Sequence, residues 1–141
     1  MNKFDISKLE ESVREVPDFP KPGIKFKDIT PILINPKLLS MSVEALASHV
    51  DSSSIDKIIG IDARGFIFGS LLANLLGKGF IPVRKEGKLP WQTESQAYDL
   101  EYGKSVIEIH KDSIKPGERI LIVDDLLATG GTAEAAVKLV E

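Results

Sequence analysis

The segment that most restricts what this chain can fold into is Arg119-Ile120-Leu121-Ile122-Val123-Asp124-Asp125 followed by Leu126-Leu127-Ala128-Thr129-Gly130-Gly131-Thr132. A continuous apolar run ending in two acids reads as a parallel strand buried on both faces. Thr132 to Val140 then has helical spacing. In open α/β sheets, ligands bind at the strand-to-helix turn beyond the carboxyl end of a strand. Gly130 and Gly131 let backbone N–H groups turn toward an anion and let it approach closely. The helix that follows offers unpaired N–H groups and the positive end of its dipole, and Thr129 and Thr132 add hydroxyls. Gly-Lys-Ser/Thr is absent from the turn, so this phosphate cradle is not a Walker A loop. Asp124 and Asp125 beside it could bind vicinal hydroxyls or a hydrated Mg²⁺. A phosphate site next to a diol site implies a ribose 5-phosphate. The plainer reading, in which the acids end a strand and the glycines turn the chain, leaves the combination with Thr-Gly-Gly-Thr unexplained.

The rest of the chain agrees with such a sheet. Residues 5–16 place Ile6, Leu9, Val13 and Val16 at helical spacing, a short amphipathic helix that the proline-dense stretch 16–23 ends. Residues 24–29 alternate apolar and polar and are read as extended. Asn35-Pro36 is an N-cap followed by proline at the first helical position, with Leu39, Val43, Leu46 and Val50 as the buried stripe. From residue 56 strand and helix alternate: 56–61 strand, 66–76 helix with Gly77 as C-cap, 79–84 strand with Pro82 marking an irregularity or an edge. Residues 85–97 lack periodicity and are expected to be a loop, with strands at 98–102 and 105–110 about Gly103 and a turn at 114–118. The expected class is α/β, a mostly parallel open sheet flanked by helices in a single domain 1–141. Residues 1–50 form an N-terminal extension and 51–141 the core.

Composition narrows the function classes. At 141 residues, 43% apolar and 28% charged, the chain is one globular domain and not a disordered or coiled-coil polypeptide. No apolar run approaches the ~20 residues that span a bilayer, and the N-terminus lacks a signal-peptide apolar block. No membrane association is expected. There is no cysteine, which excludes disulfides and thiolate metal sites and makes a reducing, cytoplasmic location the default. A net charge of −3 argues against non-specific nucleic-acid binding. His49 and His110 have no second ligand at metal spacing and are read as inert.

Residues 123–132 resemble the phosphoribosyl-diphosphate (PRPP) motif of the type I phosphoribosyltransferases. Pro17-Asp18-Phe19-Pro20-Lys21-Pro22-Gly23, residues 26–31, Asp62-Ala63-Arg64-Gly65-Phe66, residues 84–90 and Leu100-Glu101-Tyr102-Gly103 are similar, in the same order, to the adenine phosphoribosyltransferase family. The resemblance covers the chain end to end. It implies transfer of 5-phosphoribosyl from PRPP to adenine, giving AMP and pyrophosphate, with Mg²⁺ as cofactor and a homodimer as the working form. Residues 1–50 would then hold the adenine-binding segment, forming a cover over the base, and 51–141 the PRPP-binding core.

By that resemblance Arg64, Lys88 and Glu101 carry catalysis, with Glu101 assisting proton transfer at the purine. The PRPP and AMP contacts fall to Asp124, Asp125, Ala128, Thr129, Gly130, Gly131, Thr132, Arg64, Arg84, Lys88 and Tyr102. The loop 62–65 would receive pyrophosphate and hold a strained or cis peptide near Ala63–Arg64, or else Arg64 would simply pair with Asp62. Phe26 would stack on adenine between the main chains of Lys25 and Lys27, Lys27 standing where relatives often have Arg. Mg²⁺ would arrive on PRPP, with a water-mediated link to Asp124 or Asp125 left open. Segment 85–97 would be a mobile lid, and Trp91 is bulkier than the residue many relatives carry there.

A guanine- or xanthine-type enzyme, a PRPP-sensing regulator and a phospho-receiver are the competing readings. The Phe26 and Glu101 blocks oppose the first, and the absence of a basic helix-turn-helix in 1–50 opposes the second. The third leaves the cradle unexplained. Members of the type I family continue past the helix where this chain stops at Glu141. A C-terminal part is therefore expected to be missing, with an exposed sheet edge or apolar patch near the last helix.

Overall fold

The computed structural model describes residues 6–99, 103–124 and 131–141, with residues 131 and 132 described by their backbone alone. The chain divides into two compact units, Met1–Val50 and Asp51–Glu141.

In the first unit, α1 (Ile6–Ser12) is followed by β1 (Arg14–Pro17), β2 (Lys25–Asp28), α2 (Thr30–Leu33) and α3 (Pro36–Ser48). The amphipathic helix expected over 5–16 thus stops at Ser12, and Val16 lies on a strand opposite Phe26. Pro17 disfavours helical backbone at the residue before it, and the antiparallel pairing of Glu15 with Lys27 and Pro17 with Lys25 takes that stretch instead. Asn35 caps α3 as its sequence promises, its Oδ1 accepting from the N–H groups of Lys37 (3.0 Å) and Leu38 (3.2 Å). The buried face of α3 is Leu38, Val43 and Ala45, whereas Leu46 is exposed and Val50 lies beyond the helix. Counting only large apolar residues rotates the stripe, because small Ala45 faces inward.

The second unit holds β3 (Lys57–Ile61), α4 (Arg64–Leu76), β4 (Gly79–Lys85), β5 (Thr93–Asp99), β6 (Lys104–His110), β7 (Ile120–Val123) and α5 (Gly131–Val140). The strand order is β5-β6-β4-β3-β7. β4, β3 and β7 run parallel, and β6 and β5 join antiparallel, so the sheet is mixed. Its two faces are sorted by alternation. Ile59, Ile61, Ile81, Val83, Ile107 and Ile109 pack with Ala135 and Ala136 of α5. The opposite face receives α4, where the backbones of Gly60 and Gly69 approach so closely that a Cβ on Gly69 would stand 3.2 Å from the Cα of Gly60. Each isoleucine buried this way contributes about 1.5–3 kcal/mol.

Three readings are refined. Pro82 lies in an interior strand. Asp62 N–H bonds Val83 O at 3.0 Å, so by alternation the nitrogen of Pro82 faces β6, whose ladder with β4 begins only at Arg84. The missing N–H therefore breaks no rung. The expected loop over 85–97 shrinks to 86–92, because β5 starts at Thr93 and pairs with β6 from Thr93–His110 to Asp99–Lys104. Its residues are polar on both faces, and cross-strand pairing decides the conformation where propensity does not. Finally β7, expected to be buried on both faces, stands at the edge of the sheet among the described residues, and of its four residues only Val123 is buried.

Candidate functional site

Parallel strands in register deliver their carboxyl ends to one edge. Ile61 pairs with Val83 and Gly60 pairs with both Pro82 and Val123. Asp62, Arg84 and Asp124 therefore emerge side by side from β3, β4 and β7, although 62 residues separate the first from the last. This is the edge at which α/β folds bind ligands.

The turn after β3 is drawn tight against the end of β7. A Cβ on Gly65 would stand 2.8 Å from the carbonyl oxygen of Val123 and 3.3 Å from Asp124 Oδ1. A Cβ on Gly60 would meet the carbonyl of Gly65 at 2.6 Å. Glycine at 60 and 65 is thus a condition for bringing the 62–65 turn beside Asp124. The peptide Asp62–Ala63 is cis, one bond before the position expected, and Phe19–Pro20 is cis as well. Arg64 opens α4 with its side chain half-buried, and the first turn of that helix presents N–H groups at the same edge.

Asp62 pairs with Arg84, not with Arg64 as the plainer alternative had it. Arg84 Nε donates to Asp62 Oδ2 at 3.0 Å. The guanidinium also lies 6.0 Å above the Phe66 ring, which in turn meets Phe80 edge-on at 5.8 Å. The ion pair uses one of five guanidinium N–H donors. Among the described residues the Nη groups make no other hydrogen bond, so the fork that suits phosphate oxygens is oriented but not consumed.

Lys88 follows a tight turn at the end of β4: its N–H bonds Lys85 O at 3.3 Å, and Gly87 has φ of 85°. Lys85 and Lys88 are both exposed. Glu108 on β6 accepts from the Gly87 N–H (2.7 Å) through one oxygen and from the Thr93 hydroxyl (2.8 Å) through the other. The Trp91 N–H bonds His110 Nε2 at 3.3 Å, and Lys111 N–H bonds Gln92 O at 2.9 Å. Segment 86–92 is consequently tied at both ends, which narrows the segment expected to act as a lid. His110, read as inert, is an acceptor in that tie.

In the first unit Phe26 is half-buried and meets Phe19 edge-on at 5.2 Å. Lys25 and Lys27 are exposed and both reach Glu15, at 3.7 and 3.2 Å. The hydrogen bond and charge of Lys27, then the charge of Lys25, hold the Glu15 carboxyl below its ordinary range.

Glu101, Tyr102, Asp125, Ala128, Thr129 and Gly130 lie outside the described residues, and Gly131 and Thr132 are placed only as the backbone that opens α5. Among the described residues no three His, Asp or Glu side chains gather as a metal site, and no helix is long and apolar enough to cross a membrane. The ion pair of Asp62, the Glu108 clasp and the Gly60–Gly65–Gly69 approach were not anticipated. Only the last leaves a trace in sequence, as glycines spaced four apart on the inner face of a helix.

A family model described as the phosphoribosyl transferase domain matches residues 29–141. An adenine phosphoribosyltransferase of Yersinia pseudotuberculosis is 54% identical over 132 residues, spanning 94% of this chain and 71% of that protein. The crystal structure of adenine phosphoribosyltransferase from Thermoanaerobacter pseudethanolicus superimposes with a TM-score of 0.93 at 54% identity, covering 96% of this chain and 79% of that one. The Saccharomyces cerevisiae enzyme, solved with an imino-altritol bisphosphate and adenine, matches with a TM-score of 0.91 at 43% identity over 95% of this chain and 78% of that one.

Proposed function

Since the chain belongs to the phosphoribosyltransferase family and has its type I fold, we infer that it acts as an adenine phosphoribosyltransferase: adenine and PRPP become AMP and pyrophosphate. The observation that carries this is identity of 54% with an adenine phosphoribosyltransferase across 94% of the chain. In the reaction the purine N9 forms a bond to the anomeric carbon as the C–O bond to pyrophosphate breaks, and the N9 proton leaves. Charge develops on the pyrophosphate and on the ribose ring, as in glycoside cleavage. Catalysis is then a matter of positioning and electrostatics.

The assignments that follow are proposals. Arg84, Lys88 and Arg64 with the 62–65 turn take the pyrophosphate, the Arg84 fork doing so with Asp62 and Phe66 behind it. Asp124 and Asp125 take the ribose hydroxyls, and residues 128–132 the 5-phosphate, with Tyr102 ordering the site. Glu101 assists proton transfer at the purine. Phe26 stacks on adenine, with the Lys25 and Lys27 main chains reading its edge. Residues 1–50 supply the adenine segment and 51–141 the PRPP core. Mg²⁺ would arrive on PRPP, with a water-mediated link to Asp124 or Asp125 left open, and would supply positive charge beside the leaving pyrophosphate. The donor set fits an ion carried in on its substrate: Asp124 ends β7 as a carboxylate, and among the described residues no three His, Asp or Glu side chains gather as a metal site. A homodimer in the cytoplasm is the expected setting, supported by the cysteine-free sequence and the family.

The test is pyrophosphate release from PRPP with adenine, guanine or hypoxanthine. Turnover with adenine alone is expected. Turnover with guanine and none with adenine overturns the assignment.

A further inference from the structure

Glu108 is not among the residues assigned to either substrate, yet both of its oxygens are committed to one short segment. Oε1 accepts the N–H of Gly87 at 2.7 Å and Oε2 accepts the hydroxyl of Thr93 at 2.8 Å. Gly87 stands where the chain leaves β4 and Thr93 where it enters β5. One carboxylate thus closes the base of segment 86–92, which carries Lys88 at its front and Trp91 further along.

The strand pairing explains how it can. Glu108 lies directly across from Arg84 on one side and from Ser95 on the other. Thr93 is two residues from Ser95, so its side chain shares the face of the sheet that Glu108 occupies. A carboxylate opposite an arginine would ordinarily pair with it. Arg84 instead takes Asp62, and Glu108 spends its two oxygens on neutral donors. A charge-assisted bond to a backbone N–H is stronger than a neutral one, and this bond fixes the turn at Gly87, the residue before Lys88.

We propose that Glu108 is a positioning residue for PRPP: by clasping Gly87 and Thr93 it holds the 85–88 turn in the shape that aims Lys88 at the pyrophosphate. The proposal rests on the reading of Lys88 as a pyrophosphate ligand. A carboxylate suits the position because it accepts at both oxygens. Glutamine keeps one acceptor for Gly87 and lets the Thr93 hydroxyl turn round to accept from its amide, so Glu108→Gln is the conservative variant. Alanine removes both ties.

The chain has one tryptophan, Trp91, and it lies on this segment, 64% exposed. Its fluorescence anisotropy therefore reports the segment without reference to activity. Glu108→Ala is expected to lower the Trp91 anisotropy of the free protein and to raise KM for PRPP by about tenfold, the order expected when a charged hydrogen bond behind a binding group is lost. KM for adenine stays within about twofold. Glu108→Gln restores most of both signals. In a Lys88→Ala background, Glu108→Ala adds little to KM for PRPP, since it acts through Lys88.

The proposal is overturned if Glu108→Ala leaves KM for PRPP unchanged, if its effect adds fully to that of Lys88→Ala, or if adenine and PRPP suffer equally. If Glu108→Ala does not fold, Thr93→Val cuts one tie and keeps the other. A smaller rise in KM for PRPP with lowered anisotropy supports the clasp, and unchanged values reject it. A wild type that neither binds PRPP nor turns over adenine removes the functional reading itself, and with it the role of Glu108 in PRPP binding. In that case lowered anisotropy still establishes the tie.

Discussion

Arg84 shows how much a single side chain depends on the two groups behind it. Asp62 holds its Nε and the Phe66 ring lies beneath the guanidinium, so what reaches the sheet edge is a planar fork with a set orientation. Lysine keeps the charge but has neither an Nε donor nor a plane to stack. Arg84→Lys should raise KM for PRPP about tenfold with KM for adenine nearly unchanged, as steady-state kinetics with each substrate varied in turn will show; an equal effect on both substrates would place Arg84 elsewhere in the mechanism. The sequence made Arg84 a candidate through its neighbours Lys85 and Lys88. It gave no hint that Asp62 would be its partner, because residues 22 apart meet only once β3 and β4 are in register. Phe26 was legible as an aromatic in an extended stretch, whereas its edge-on contact with Phe19 depends on the hairpin between them.

At the scale of elements, what could be read locally was read well. Asn35-Pro36 announces a helix because capping and proline geometry act within three residues, and α3 begins there. Asn35→Ala removes the acceptor for two N–H groups and should cost about 1 kcal/mol, measurable by urea unfolding. A loss below about 0.3 kcal/mol would mean that water or a neighbour replaces the cap. The first five residues of β5 escaped because nothing within 93–97 requires a strand, and only 98–102 was read as one; pairing with β6 extends β5 back to Thr93. The end of α1 escaped for the same reason, since the pairing of β1 with β2 lies across a turn. Elements that draw their stability from distant partners are the ones a local pattern misses.

In the second unit, carboxylates tie the amino ends of β3 and β7 and cap the turn at Ser52–Ser54. Asp56 is held below its ordinary value of 3.8 chiefly by the Arg119 N–H, with the Arg119 charge adding to it. Glu118 is held below 4.5 by the Lys115 N–H and then by Lys57, whose Nζ is 2.9 Å away. Asp51 is lowered by the Ser53 hydroxyl and N–H. A carboxyl whose pKa is lower folded than unfolded stabilises the fold fully above the unfolded value and loses that contribution as pH falls through the folded one. Thermal midpoints should therefore be flat between pH 7 and about pH 5 as far as these groups are concerned, and fall progressively below their ordinary values. In Asp56→Asn/Glu118→Gln the midpoint at pH 7 should be lower and the acid-side fall shallower. A fall as steep as that of the wild type would show that these two groups do not govern it. At this scale the alternation of strand and helix and the acid-ended strand at 119–125 were enough to place the chain in its fold class. The sheet order and the edge position of β7 were not, because they depend on which strands find one another.

The tight approach at Gly65 has a further consequence, for mutational tolerance. If every position were randomised and survivors sequenced, 65 should admit one residue only, because even alanine would press on the Val123 carbonyl, which belongs to the strand and cannot swing aside. Gly79, where an added Cβ meets nothing nearer than 3.8 Å, should accept many. The contrast marks where backbone, and not side chain, sets the distance between the turn after β3 and the acid that ends β7. In any lineage that keeps the fold, that one spacing should stay fixed whatever side chains change around it.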